Sequence, residues 1–185
     1  ISIGADHTIY EIEKDYELLL QKSVSYGFKE RWFYYKILSL VTREYTLGYQ
    51  AVSKEIKDLS FRADLNITPA DKMTILVYGW ENSPDPNEKL EYEKRIVDFS
   101  KENQSATLSV SYASFCFRVG IDLIDEGDYL TAKKFIERYD DLLTQLEVKE
   151  DEYRVTSQYY LALCDYLISP DAVDKLKYVL GVAHN

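Results

Sequence analysis

The sequence predicts an all-α chain, with one leading helix followed by about four helical hairpins stacked as a right-handed superhelix. Three observations carry that prediction. Apolar residues recur at spacings of three and four along most of the chain, and period-two alternation is hard to find. Gly 7 and Pro 4 in 185 residues are too few for the tight turns of an all-β sandwich. Three of the four prolines follow a residue that caps helices, at Thr68-Pro69, Asp85-Pro86 and Ser169-Pro170. Proline at the first helical position loses nothing, because its missing N–H would be unpaired there anyway.

The leading helix is expected over about residues 8–26, where Ile12, Tyr16, Leu19 and Leu20 share a face. The first helices of the hairpins are placed near 30–46, 68–81, 105–125 and 149–168. Their partners are placed near 48–61, 86–103, 129–146 and 170–183. Asp71, three residues after Thr68, adds favourable charge to its first turn. Asp128 in Glu126-Gly127-Asp128-Tyr129 marks a turn and then a new helix, carrying Ala132, Phe135, Ile136, Tyr139 and Leu143 on one face. Tyr92, Ile96 and Phe99 do the same in the helix after Pro86.

Small residues supply the repeat. Gly120 and Ala132 stand 12 positions apart across the Gly127-Asp128-Tyr129 turn, where two helices of a hairpin would touch. Ser39 and Ala51 have the same separation. Ser39, Gly79, Gly120 and Ala162 then recur at intervals of 40, 41 and 42. Positions 79 and 162 are less regular, with Glu91 and Asp174 at the twelfth place and Ala172 two residues early. This pattern resembles a tetratricopeptide repeat, most closely over 113–146, with a period longer than that motif's usual 34 residues. The whole chain, 1–185, reads as a single repeat domain.

Composition excludes several functions. Lys+Arg 22 against Asp+Glu 32 gives a net charge of −10, a field that repels DNA, RNA and anionic lipid. No run approaches the ~20 apolar residues needed to cross a bilayer. Cys116 and Cys164 sit in apolar stretches, as reduced core residues of a cytoplasmic protein do. The start, Ile1-Ser2-Ile3-Gly4-Ala5-Asp6, lacks an initiator Met and a signal-peptide layout, so the chain reads as a piece of something longer. Catalysis is not expected. His7 and His184 stand at opposite ends, no phosphate-cradling glycine loop is present, and the Cys and His spacing fits no metal. Asp122, Asp125, Glu126 and Asp128 lack the alternating oxygens of a calcium loop. No cofactor is expected.

What remains is a surface. Tyr 17 gives this chain an unusually aromatic character, suited to holding another chain. In stacked hairpins the first helix of each pair lines the concave side. Counting from the small residues, the groove is expected to hold Phe33, Lys36, Arg43, Trp80, Ser114, Phe117, Ile121, Thr156, Tyr159, Leu163 and Tyr166. Leu40, Met73, Leu76 and Ile124 fall on the same faces. Large rings with few polar anchors suit a short hydrophobic peptide, and Lys36 and Arg43, at i,i+7, are placed to hold its terminal carboxylate. Repeat adaptors that clamp carboxylates with Lys and Asn differ, since Phe117 and Tyr159 stand at those places.

The layout also resembles the C-terminal regulatory domain of the Rgg/MutR family of pheromone-sensing transcription regulators. The resemblance is carried by Ala132-Lys133-Lys134-Phe135-Ile136-Glu137-Arg138-Tyr139-Asp140-Asp141-Leu142-Leu143, by Asp151-Glu152-Tyr153-Arg154, and by the apolar helix Tyr159 to Ile168 with its hairpin into Ala172 to Leu180. It implies a homodimeric domain that binds a short secreted peptide in its groove and passes the change to a separate helix-turn-helix domain. No helix-turn-helix is read in these 185 residues. The alternative is a scaffold adaptor of tetratricopeptide type with no small ligand. A repeat-built enzyme is a third reading.

Overall fold

A computed structural model describes residues 14, 15, 18, 19, 21, 22, 29–61 and 67–183. Every regular element among them is helical: α1 Lys29–Leu47, α2 Ser53–Phe61, α3 Pro69–Asn82, α4 Pro86–Glu102, the short α5 Gln104–Thr107, α6 Val110–Glu126, α7 Tyr129–Gln145, α8 Asp151–Ile168 and α9 Val173–Ala183. The chain is all-α. The leading helix expected over about 8–26 lies largely outside the described residues, as do His7 and His184. No helix among the described residues is long and apolar enough to cross a membrane. The chain divides into two compact units, Ile1–Ala106 and Thr107–Asn185.

In the first unit, α3 packs on α2 and α4. Its core holds Leu40, Val52, Ile56, Met73, Ile75, Trp80, Tyr92 and Ile96, all essentially removed from water. Thr68 begins α3 with a full capping box, its hydroxyl accepting from the Asp71 N–H at 3.1 Å while an Asp71 carboxylate oxygen accepts from the Thr68 N–H. Asp85 begins α4 by accepting from the Asn87 N–H at 2.9 Å. The small residue of α3 meets a large one. A Cβ placed on Gly79 would lie 2.4 Å from Cζ and 2.5 Å from Cε1 of Tyr92, so the absent methyl is what lets the ring in.

The first hairpin departs from the sequence expectation. After Gly48, which holds φ 80°, residues Tyr49–Ala51 make a 3-10 turn, and α2 starts at Ser53. Ala51 is exposed in that turn, whereas Ser39 is buried. Ser169 also differs, since its side chain caps nothing and leads into a 3-10 turn, Pro170–Ala172, ahead of α9. The expected helix 105–125 is broken, with Ser109 capping the true start of α6 by accepting from the Tyr112 N–H at 3.2 Å.

In the second unit α7 packs between α6 and α8, and α9 packs on α8. The Gly120–Ala132 register is realised. A Cβ on Gly120 would lie 2.5 Å from Cδ1 of Ile136 and 3.4 Å from the Ala132 carbonyl oxygen. All four recurring small residues, Ser39, Gly79, Gly120 and Ala162, are buried. Helices α6 and α7 end alike. At Gly127, φ 87°, the Asp128 N–H donates to the Leu123 carbonyl at 2.9 Å; at Glu147, φ 53°, the Val148 N–H donates to the Leu143 carbonyl at 3.0 Å. The second turn puts a residue with a Cβ, Glu147, in the left-handed region, which glycine tolerates better. Asp165 of α8 bridges its neighbours, accepting from Lys133 of α7 at 2.7 Å and Lys175 of α9 at 3.0 Å.

Candidate functional site

The expected groove residues divide between the units. In the first unit Phe33 and Trp80 are 4% and 2% exposed, so they belong to the core and offer a ligand no face. Leu40, Met73 and Leu76 are buried with them. Helical spacing alone cannot separate a groove stripe from a core stripe, and here the core takes these positions. The two cations are also occupied. Lys36 bonds Oε1 of Glu55 and Arg43 donates to Oε2 at 2.6 Å, joining α1 to α2 through one carboxylate. The clamp expected for a peptide's terminus holds the chain's own Glu55 instead.

Burial raises the pKa of Glu55, but the hydrogen bonds and charges of Lys36 and Arg43 outweigh it and hold the carboxyl below its ordinary value. A carboxylate depressed on folding contributes stability above the unfolded pKa, near 4.5, and loses it as pH falls through the folded value. The urea midpoint of the first unit, read by tryptophan fluorescence, is therefore expected to fall below about pH 4.5. In Glu55→Gln the unfolding free energy should start roughly 1 kcal/mol lower and change less with pH. Equal pH profiles would remove this ion triad from the stability of the unit.

In the second unit Ser114, Phe117 and Thr156 come together on a cleft of about 550 Å³. Val110, Ala113, Ser114 and Phe117 of α6 form one wall, and Tyr153 and Thr156 of α8 the other. Tyr139, Leu143 and Leu146 floor it from α7 and its end, and Val148 completes it. The turn at Glu147 explains that last contribution, because its 3.0 Å hydrogen bond folds Val148 back toward Leu143. Aromatic contacts continue the wall: Phe117 lies 4.8 Å from Tyr139 and 5.4 Å from Tyr160, and Tyr160 lies 5.1 Å from Tyr159. Burial, then the neighbouring Tyr153 and Asp140, push the Tyr139 hydroxyl above its ordinary pKa, so it stays a neutral hydrogen-bonding group. Ile121, Tyr159, Leu163 and Tyr166 are half-buried and do not line this cleft.

The sequence count missed the floor. Tyr139 and Leu143 stand at i,i+4 on α7, a second helix, whereas the count took first helices only. Glu150 and Glu152 on the rim and the half-exposed Tyr153 were also missed; an acidic, aromatic helix start was their only signal. Among the described residues no group of three or more His, Cys, Asp or Glu could hold a metal. No family model, curated protein or solved structure matches the sequence.

Proposed function

We propose that the chain is the ligand-sensing and dimerisation domain of a peptide-responsive transcription regulator of the Rgg/MutR type. In this reading it is a cytoplasmic, homodimeric stack of tetratricopeptide-like hairpins that takes a short hydrophobic peptide in the cleft of the second unit. The cleft carries the proposal. A volume near 550 Å³, lined largely by Phe117, Tyr139, Leu143, Leu146 and Val148, suits a few apolar side chains. Peptide bound there spans α6, α7 and α8, and so favours whichever arrangement of these helices fits it best. Transcriptional output follows through a tethered DNA-binding domain.

Native mass spectrometry of the chain with a pool of synthetic apolar peptides tests this. An adduct of roughly 0.5–1.5 kDa, with a raised unfolding midpoint, is the expected result. Phe117→Ala should weaken binding by at least ~1 kcal/mol, about fivefold. Tyr153→Ala, at a half-exposed position that folding needs less, should do the same. Retention of no peptide would pass the reading to a scaffold adaptor that joins two proteins.

A further inference from the structure

We propose that the cleft selects apolar peptides that carry one basic side chain, Lys or Arg, whose head sits between the rings and the two rim carboxylates. The inference rests on the peptide reading and names the class of peptide. The lining holds two carboxylates, Glu150 and Glu152, and no Lys or Arg. Both are exposed, and among the described residues neither enters an ion pair. The Glu150 side chain makes no capping hydrogen bond to α8, so its charge is not spent on the helix start. The nearest cations in sequence, Lys149 and Arg154, line a different cleft with Thr144, Glu147, Val148 and Asp151.

The rings add a second attraction. Phe117, Tyr139 and Tyr153 all face the same space, and an aromatic face attracts an ammonium or guanidinium group. The same device operates elsewhere in the chain, where the Arg95 guanidinium lies 3.7 Å from the Phe61 ring centre. Geometry then chooses a side chain over an amino terminus. The floor is apolar and the carboxylates stand at the rim, so a long aliphatic stem crosses the floor and brings its charged head to the rim. A terminal ammonium would carry polar backbone onto Leu143 and Val148, whose side chains offer it no hydrogen bond. The chain's net charge of −10 draws such a ligand in.

The test uses the full chain and three synthetic pools of about eight apolar residues, mixed in equal amounts, with retained peptides identified by mass spectrometry. One pool carries a lysine and an acetylated end, one carries norleucine in its place, and one carries norleucine with a free amino end. Lysine members are expected to be retained roughly tenfold over acetylated norleucine members. That preference should shrink with added salt and fall in Glu150→Gln/Glu152→Gln to the smaller part that the rings supply. Equal retention of lysine and norleucine members overturns the inference and leaves the peptide reading intact. Preferential retention of free amino ends overturns it in favour of terminal recognition. No retention from any pool overturns the peptide reading itself.

Discussion

Phe115→Ala should lower the stability of the second unit by about 3–5 kcal/mol, the largest effect expected of any single truncation there. Phe115 is 0% exposed and sits between two other rings, Tyr112 at 6.0 Å and Phe135 at 6.5 Å. Alanine would remove the whole ring and leave a cavity that packed helices fill poorly. The unit supplies its own probe. Cys116 and Cys164 are free, buried thiols in this unit, and burial pushes the Cys116 thiol up to about 12, so it is unreactive until the helices open. Thiol labelling under native conditions should therefore accelerate by at least roughly a hundredfold in the variant. An unchanged rate would mean that the labelled opening does not expose the ring cluster.

Gly79→Ala is the second large effect, expected near 2–3 kcal/mol and opposite in sign to ordinary helix propensity. In an open helix, alanine for glycine gains up to about 1 kcal/mol, and Gly181 in α9, with nothing within 4 Å of its would-be Cβ, supplies that control. At position 79 the new methyl would sit inside van der Waals distance of the Tyr92 ring. The ring cannot step aside easily, because Tyr92 is fully buried and Phe61 lies 5.6 Å from it. Both tryptophans, Trp32 and Trp80, belong to the first unit, so intrinsic fluorescence reads its denaturation directly. The decisive measurement is the double variant. In a Tyr92→Leu background Gly79→Ala should become nearly neutral, a coupling of about 2 kcal/mol. Additive losses would place the clash elsewhere.

The helices were legible in the sequence because their signals are local. Thr68, Asp85 and Asp128 cap the helices where the residue pattern puts them, and Gly127 ends α6 in the left-handed turn. The errors occur where a tertiary contact decides. Nothing local says that Tyr92, thirteen positions on, would fill the space above Gly79, or that Ala51 would be spent in a 3-10 turn. The candidate cleft was legible only in part. Ser114, Phe117 and Thr156 do share a cleft, because the small residue Gly120 fixes the face of α6. Phe33 and Trp80 failed because a ring at helical spacing carries no label for core or surface. Lys36 and Arg43 failed because their partner, Glu55, lies on the next helix, and no local rule pairs them.

That triad has a kinetic and stoichiometric consequence for any ligand ending in a carboxylate. Glu55 is tethered to the two cations by the chain itself, so it competes as a counter-ion at an effective concentration on the order of millimolar or above. At equal intrinsic affinity, a free peptide terminus at micromolar levels competes for these cations roughly a thousandfold less well than Glu55 does. Lys36 and Arg43 are in this sense self-inhibited toward outside acids.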